Sequence, residues 1–192
     1  MPHRKSVRHF HEPGHMHELT FSCYGRMPLL KNDDWLEKLS RTVDAANKEL
    51  HVSLAAFVFM PEHVHLLVWS DRPELPISLY LARVKQPFSK QIKAILVENQ
   101  SPLLARLTVR ERPGKECFRF WQEGPGFDRN IWSPNAVQAS LDYIHSNPVK
   151  RGLCQRAVDW PWSSARYYLG IPPGRQDARL PYIHGLPVGA LT

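Results

Sequence analysis

The stretch FMPEHVHLLVW, residues 59–69, carries His63 and His65 at alternate positions of an otherwise largely apolar run. If the run is a β-strand, residues i and i+2 point to one face, so the two imidazoles project side by side while Val64 and Leu66 face the other way. Two imidazoles on one face are a natural ligand pair for a divalent metal. Two ordinary half-buried histidines bonded to polar neighbours would look the same, and the pattern alone leaves both readings open. The spacing recurs at His15 and His17, close to His3, His9 and His11 in a polar arm. That second cluster reads as surface, with adventitious metal binding. A working site needs rigid support, which favours the internal pair.

The elements that must hold these residues follow from periodicity and turn signals. Residues 1–14 read as a flexible basic and His-rich arm, 15–164 as one domain and 165–192 as a C-terminal tail. A strand is expected over 16–25, then a helix over 32–51 capped by Asn32 or Asp33, with Trp35, Leu36, Leu39, Val43 and Ala46 at helical spacing. Strands over 52–60 and 63–69, joined at Pro61-Glu62, form a hairpin. A helix follows over 77–98, with a kink or break at Pro87. After a basic connection, CFRFWQ (117–122) is expected as the next strand and EGPGFD (123–128) as a tight loop. A last helix over 133–147 is capped by Ser133, starts with Pro134 and is stopped by Pro148. The order matches an α+β fold, a ferredoxin-like split βαββαβ unit: a four-stranded antiparallel sheet with helices on one face, plus a C-terminal helix and tail.

Bulk properties narrow the partners. The chain has 192 residues, which suits one domain, and a formal net charge of +7, which fits either a partner of nucleic acid or a solvated basic surface. From 83 to 119 there are nine basic residues, Lys85 and Lys90 among them, against three acidic ones, a segment suited to phosphate contacts. Cys23, Cys117 and Cys154 are scattered and read as reduced thiols, not a disulfide frame or zinc knuckle. No apolar run approaches a membrane span and no secretory leader is visible, so a cytoplasmic location is expected.

The ordered set MPEHVHLLVW, FWQEGPGFDRNI (120–131), LDYIHSNPVKRGL (141–153) and DWPWSS (159–164) resembles the REP-associated tyrosine transposases, of the single-tyrosine branch of HUH endonucleases. The resemblance spans about 20–164 and implies a metal-dependent single-stranded DNA endonuclease and strand transferase acting on hairpin, REP-like DNA. By that resemblance Tyr143 is the nucleophile that forms a 5′-phosphotyrosine link, and His63, His65 and Asn147 hold Mg²⁺ or Mn²⁺. The residues agree with this chemistry: Tyr143 and Asn147 are i and i+4 on one helix face, and a carboxamide oxygen suits a hard cation. Lys150 and Arg151, just beyond the ligand, are placed to grip DNA. Arg129 is either a phosphate clamp or the partner of Asp128. Trp160 and Trp162 read as core anchors and His145 as a surface residue. A domesticated, non-cleaving hairpin-binding protein is the alternative from another class. Some members of the wider group are dimers that share tyrosine helices, and the sequence does not decide between monomer and homodimer.

Overall fold

The computed structural model describes residues 15–72, 77–124, 126–171 and 177–191. The expected arm at 1–14 lies outside them. Four strands form the main sheet: β1 (Met16–Ser22), β2 (Ser53–Phe59), β3 (His63–Trp69) and, after the short outlying hairpin β4 (Thr108–Arg112) and β5 (Lys115–Phe118), β6 (Phe127–Ile131). The order across the sheet is β2-β3-β1-β6 and each neighbouring pair is antiparallel. This is the split βαββαβ arrangement, with β6 as its fourth strand.

The sheet is buried on both faces. One face packs under α1 (Asp33–Leu50) and α2 (Ile77–Glu98), where Leu19, Phe21, Phe57, Phe59, Val64, Leu66 and Val68 meet Leu39, Val43, Val84 and Phe88. The other packs under α4 (Pro134–Lys150), which follows the short α3 (Pro102–Leu107); there Met16, Ala56, Val58, Leu67 and Ile131 meet Val137, Leu141 and Ile144. A bulge in β2 between Leu54 and Ala56 keeps Leu54 and Phe57 on the α1–α2 face although they are three residues apart. Beyond α4, residues 162–164 run along the outer side of β2, with Phe59 N–H bonded to the Trp162 carbonyl and Ser164 N–H to the Phe57 carbonyl. That covers an edge that would otherwise be open to a second chain.

Asn32 caps α1, its side chain accepting from Trp35 N–H, and Ser133 caps α4. Three expectations are corrected. The fourth strand is Phe127–Ile131, beginning within the expected loop, and not 117–122. Phe120 and Trp121 are neighbours and both are buried in the same cluster, which the alternation of a strand forbids. Their backbone meets the end of β1 in an isolated bridge, Tyr24 N–H to the Phe120 carbonyl and Gln122 N–H to the Ser22 carbonyl. Of the kink or break expected at Pro87, the break does not occur: the helix runs unbroken over 77–98, because that residue sits on the solvent side, where water can serve the carbonyl it leaves without a donor. Pro148 does not stop α4 either. The helix runs two residues further, to Lys150, and Gly152, with a φ of 68°, closes it in a Schellman turn: Leu153 N–H bonds the Pro148 carbonyl and Gly152 N–H the Val149 carbonyl.

Phe120 packs edge-on against Trp35, Phe88 and Trp121. Phe120→Ala is expected to cost about 3–5 kcal/mol, read as a lower urea midpoint with an unchanged slope.

Candidate active site

His63 and His65 lie on the α4 face of the sheet, as their spacing requires, with ring centroids 4.8 Å apart. The buried stripe of α4 runs through Val137, Ser140, Leu141, Ile144 and Asn147. Tyr143 stands on its rim, 42% exposed, one turn before Asn147, which is 7% exposed. The helix is laid so that the Tyr143 ring is 5.2 Å from the His65 ring and Asn147 Nδ2 is 3.2 Å from His65 Nε2. His63, His65, Tyr143 and Asn147 thus meet around one cavity of about 340 Å³, whose wall also includes Glu62, Lys150 and Arg151.

Each imidazole is held at Nδ1. Thr20 lies opposite His65 in the β1–β3 register, and its Oγ1 is 2.7 Å from His65 Nδ1. Glu62 Oε1 is 3.2 Å from His63 Nδ1 and also 2.7 Å from Arg151 Nη2. Glu62 therefore ties the β2–β3 turn to the end of α4. Burial holds the His65 pKa down at about 3, with the neighbouring His63 adding to the effect. Burial also lowers His63, against the opposing pull of the Glu62 carboxylate. Both rings are then neutral near pH 7 and Nε2 of His65 is a lone-pair donor.

These residues fit a divalent cation. Two neutral imidazoles fixed at Nδ1 leave Nε2 as the donor nitrogen, the usual state of a metal-bound histidine. Turning the Asn147 amide over would present Oδ1 in place of Nδ2, two assignments that exchange only the network around it. A donor set of two nitrogens and one oxygen suits Mn²⁺ better than Mg²⁺, which prefers oxygen throughout. Among the described residues no cluster of three His, Cys, Asp or Glu side chains is placed to hold a metal.

The other sequence candidates divide. Lys150 lies over the Tyr143 ring, 5.4 Å from its centroid, and Arg151 lines the same cavity. Arg129 is on β6, bonded to Glu18 Oε2 at 2.9 Å. Asp128 faces the other way, to His17 Nδ1 at 2.9 Å, so the suggested Asp128–Arg129 pair does not form. His17 itself is fully buried, which corrects its reading as a surface residue. Lys85 and Lys90 are on α2, across the sheet from Tyr143; Lys85 lies over the Phe21 ring. His145 is not a surface residue: it is half-buried against Tyr168, its Nε2 2.8 Å from Ser164 Oγ. Trp160 and Trp162 are anchors, donating to the Phe59 carbonyl and to Asp33.

Sequence reasoning missed Thr20, Glu62 and Glu18. Glu62 had a signal, its place beside His63. Glu18, which accepts from Ser140 Oγ at 2.8 Å and so pins α4 to β1, had none without the strand register. Gly126 had one in the EGPG loop: a Cβ there would lie 2.3 Å from the Thr20 carbonyl oxygen, so only glycine lets this loop pass beside β1.

Burial also pushes His145 down to about 4, against an ordinary value of 6.5. For His65 and His145 the folded pKa is below the unfolded one, so the unfolded chain takes up protons first as the solution is acidified. Full stability is present above about pH 6.5 and is lost as pH falls toward the folded values. Each of the two histidines is expected to cost about 2 kcal/mol by pH 5. The check is the urea midpoint of metal-free protein between pH 7 and pH 5, with His145→Gln flattening the profile.

Residues 13–106 match the family described as "Transposase IS200 like", a span that includes both histidines and ends before Tyr143. A curated Haemophilus influenzae protein, assigned by its name to the REP-associated tyrosine transposases, is 31% identical over 110 residues, 57% of this chain and 56% of that protein. The chain thus aligns with little more than half the length of the curated relative. The structure described as a REP-associated tyrosine transposase bound to a REP hairpin shares the fold, with a TM-score of 0.67 over 88% of this chain and 89% of that one, at 18% identity. No described helix is long and apolar enough to cross a membrane. The chain is thus similar over residues 13–106 to the IS200-like transposases, and its fold is the one seen in a REP-associated tyrosine transposase.

Proposed function

We propose that this chain is a metal-dependent enzyme that nicks and rejoins single-stranded DNA through Tyr143, on hairpin-bearing, REP-like DNA. The observation that carries the reading is the convergence of His63 and His65 from β3 with Tyr143 and Asn147 from α4 around one cavity. Pure binding would need neither a phenol nor a metal-ready pair of imidazoles. A structure of the same fold holds a REP hairpin, which supports hairpin DNA as the partner.

His63, His65 and Asn147 would hold Mn²⁺ or Mg²⁺, which when bound would neutralise charge on the scissile phosphate. Tyr143 Oη forms a bond to phosphorus as the bond from phosphorus to the 3′ oxygen breaks. The phenolic proton passes to solvent, and the 3′ oxygen leaves as a hydroxyl after taking a proton. One phosphate ester replaces another, so the 3′ hydroxyl can reverse the step with no added energy source. Lys150 and Arg151 receive strand phosphates at the mouth of the cavity. Arg151 is also bonded to Glu62, so its guanidinium is already oriented. Thr20 and Glu62 keep the imidazoles turned so that Nε2 faces inward.

The test uses labelled single-stranded hairpins from repeats flanking the gene, with Mn²⁺ or EDTA, on a denaturing gel. A protein-linked band is expected with Mn²⁺ alone, absent in Tyr143→Phe and in His63→Ala, while Tyr143→Phe still binds. Binding without any adduct, across several hairpins and metals, would replace this reading by a non-cleaving hairpin-binding protein. Thr20→Val removes the partner of His65 Nδ1 and is expected to weaken Mn²⁺ binding about 10- to 100-fold in a calorimetric titration.

A further inference from the structure

A second cleft opens on the opposite side of Tyr143, between β6 and α4. Its volume is about 460 Å³, and it shares Thr20, His65 and Tyr143 with the first cavity. Its remaining wall includes Phe127 and Arg129, which alternate along β6 and so stand on the same face of that strand. Phe127 is 55% exposed, although Ile131, four residues on along the same face, is 1% exposed. The space stays open because, one turn before Tyr143, α4 presents the small Ala139 to it.

Arg129 is held in place from below. Its Nη2 is 2.9 Å from Glu18 Oε2, and Ser140 Oγ bonds the same oxygen at 2.8 Å. The Glu18 carboxylate is 6% exposed and the guanidinium 47%, so the acid is covered and the cation faces the cleft. Glu18 offsets part of the charge but fixes the fork, leaving its other N–H groups to meet a phosphate oxygen.

We propose that this cleft is a nucleotide subsite of the strand path, in which a base stacks on Phe127 and its phosphate is held by Arg129. The inference rests on the reading of Tyr143 as the nucleophile of a single-strand nicking enzyme. A strand whose scissile phosphate lies at Tyr143 must continue to one side of it. Lys150 and Arg151 line one way out, and Phe127 with Arg129 lines the other. An exposed aromatic ring beside a fixed guanidinium is the pairing that binds single strands without regard to sequence, since every base has a π-face. Continuity with the candidate active site and charge complementarity together select a nucleic acid strand as the occupant.

The experiment uses the full chain with a DNA hairpin carrying a single-stranded tail of 5-iodouracil nucleotides. Irradiation of the Tyr143→Phe protein, which leaves the strand whole, is expected to cross-link the tail at Phe127, in the tryptic peptide 120–129. In anisotropy titrations Phe127→Ala and Ala139→Trp are each expected to weaken binding of the tail about tenfold, while Phe127→Trp binds like the parent. Both side chains are at the surface, so the fold has no need of them. Cross-links confined to other positions, no binding of the probe, or parental affinity in both weakening variants would overturn the subsite. A covalent Tyr143 adduct in the parent without a cross-link at Phe127 would remove the subsite and keep the nicking enzyme. A cross-link at Phe127 with no adduct would keep the subsite and remove the catalytic reading.

Discussion

His65 is engaged at both ring nitrogens, Nδ1 by Thr20 and Nε2 by Asn147, and it is 3% exposed. Those two contacts reach β1 on one side and α4 on the other. A neutral imidazole buried in this way cannot rotate without leaving a polar atom without a partner, which costs about 1–3 kcal/mol. The ring is therefore a fixed post between the sheet and the helix that carries Tyr143. The position of the phenol relative to the histidines depends on this one residue more than on any other.

The rest of the fold serves that post. The hydrophobic cluster under α1 and α2 stiffens the sheet from the far face, so β1 and β3 keep the register that sets Thr20 against His65. On the near face, α4 is pinned at three levels. Ser140 bonds Glu18, Asn147 meets His65, and Arg151 reaches Glu62. Each pin joins the helix to a different part of the sheet, so the helix can neither slide nor turn without losing at least one. The Schellman turn at Gly152 places Arg151 where the third pin requires it.

Charge is distributed in a way the net value of +7 does not convey. Arg129 and Arg151, in the walls of the two clefts that meet at Tyr143, each lean on a mostly buried glutamate. Such pairs reduce the field at long range and fix the direction of the guanidinium at short range, where a phosphate is met by geometry as much as by charge. Lys85 and Lys90, in the most basic stretch of the sequence, belong to the helix on the other side of the sheet. A basic segment in sequence is not a basic face in space, because a helix packed by its apolar stripe turns its cations to whichever solvent side is left.

The sequence by itself determined the elements whose signals are local. Period-2 alternation placed β3 and aimed both histidines to one face; Asn32 and Ser133 marked helix starts; the spacing of Tyr143 and Asn147 set them on one side of α4. It also carried the motif order on which the resemblance to the REP-associated tyrosine transposases rests. Tertiary structure decided what depends on pairing between distant segments. The fourth strand moved to 127–131 because Phe120 and Trp121 were both drawn into one core and Gly126 alone could pass beside the Thr20 carbonyl. Both prolines expected to break helices stayed within them, because packing of the apolar stripe outweighs one missing hydrogen bond. Thr20, Glu18 and the cleft beside Phe127 exist only once β1 lies between β3 and β6, and register between strands far apart in the chain is set by the burial of whole faces, not by any residue's own preference.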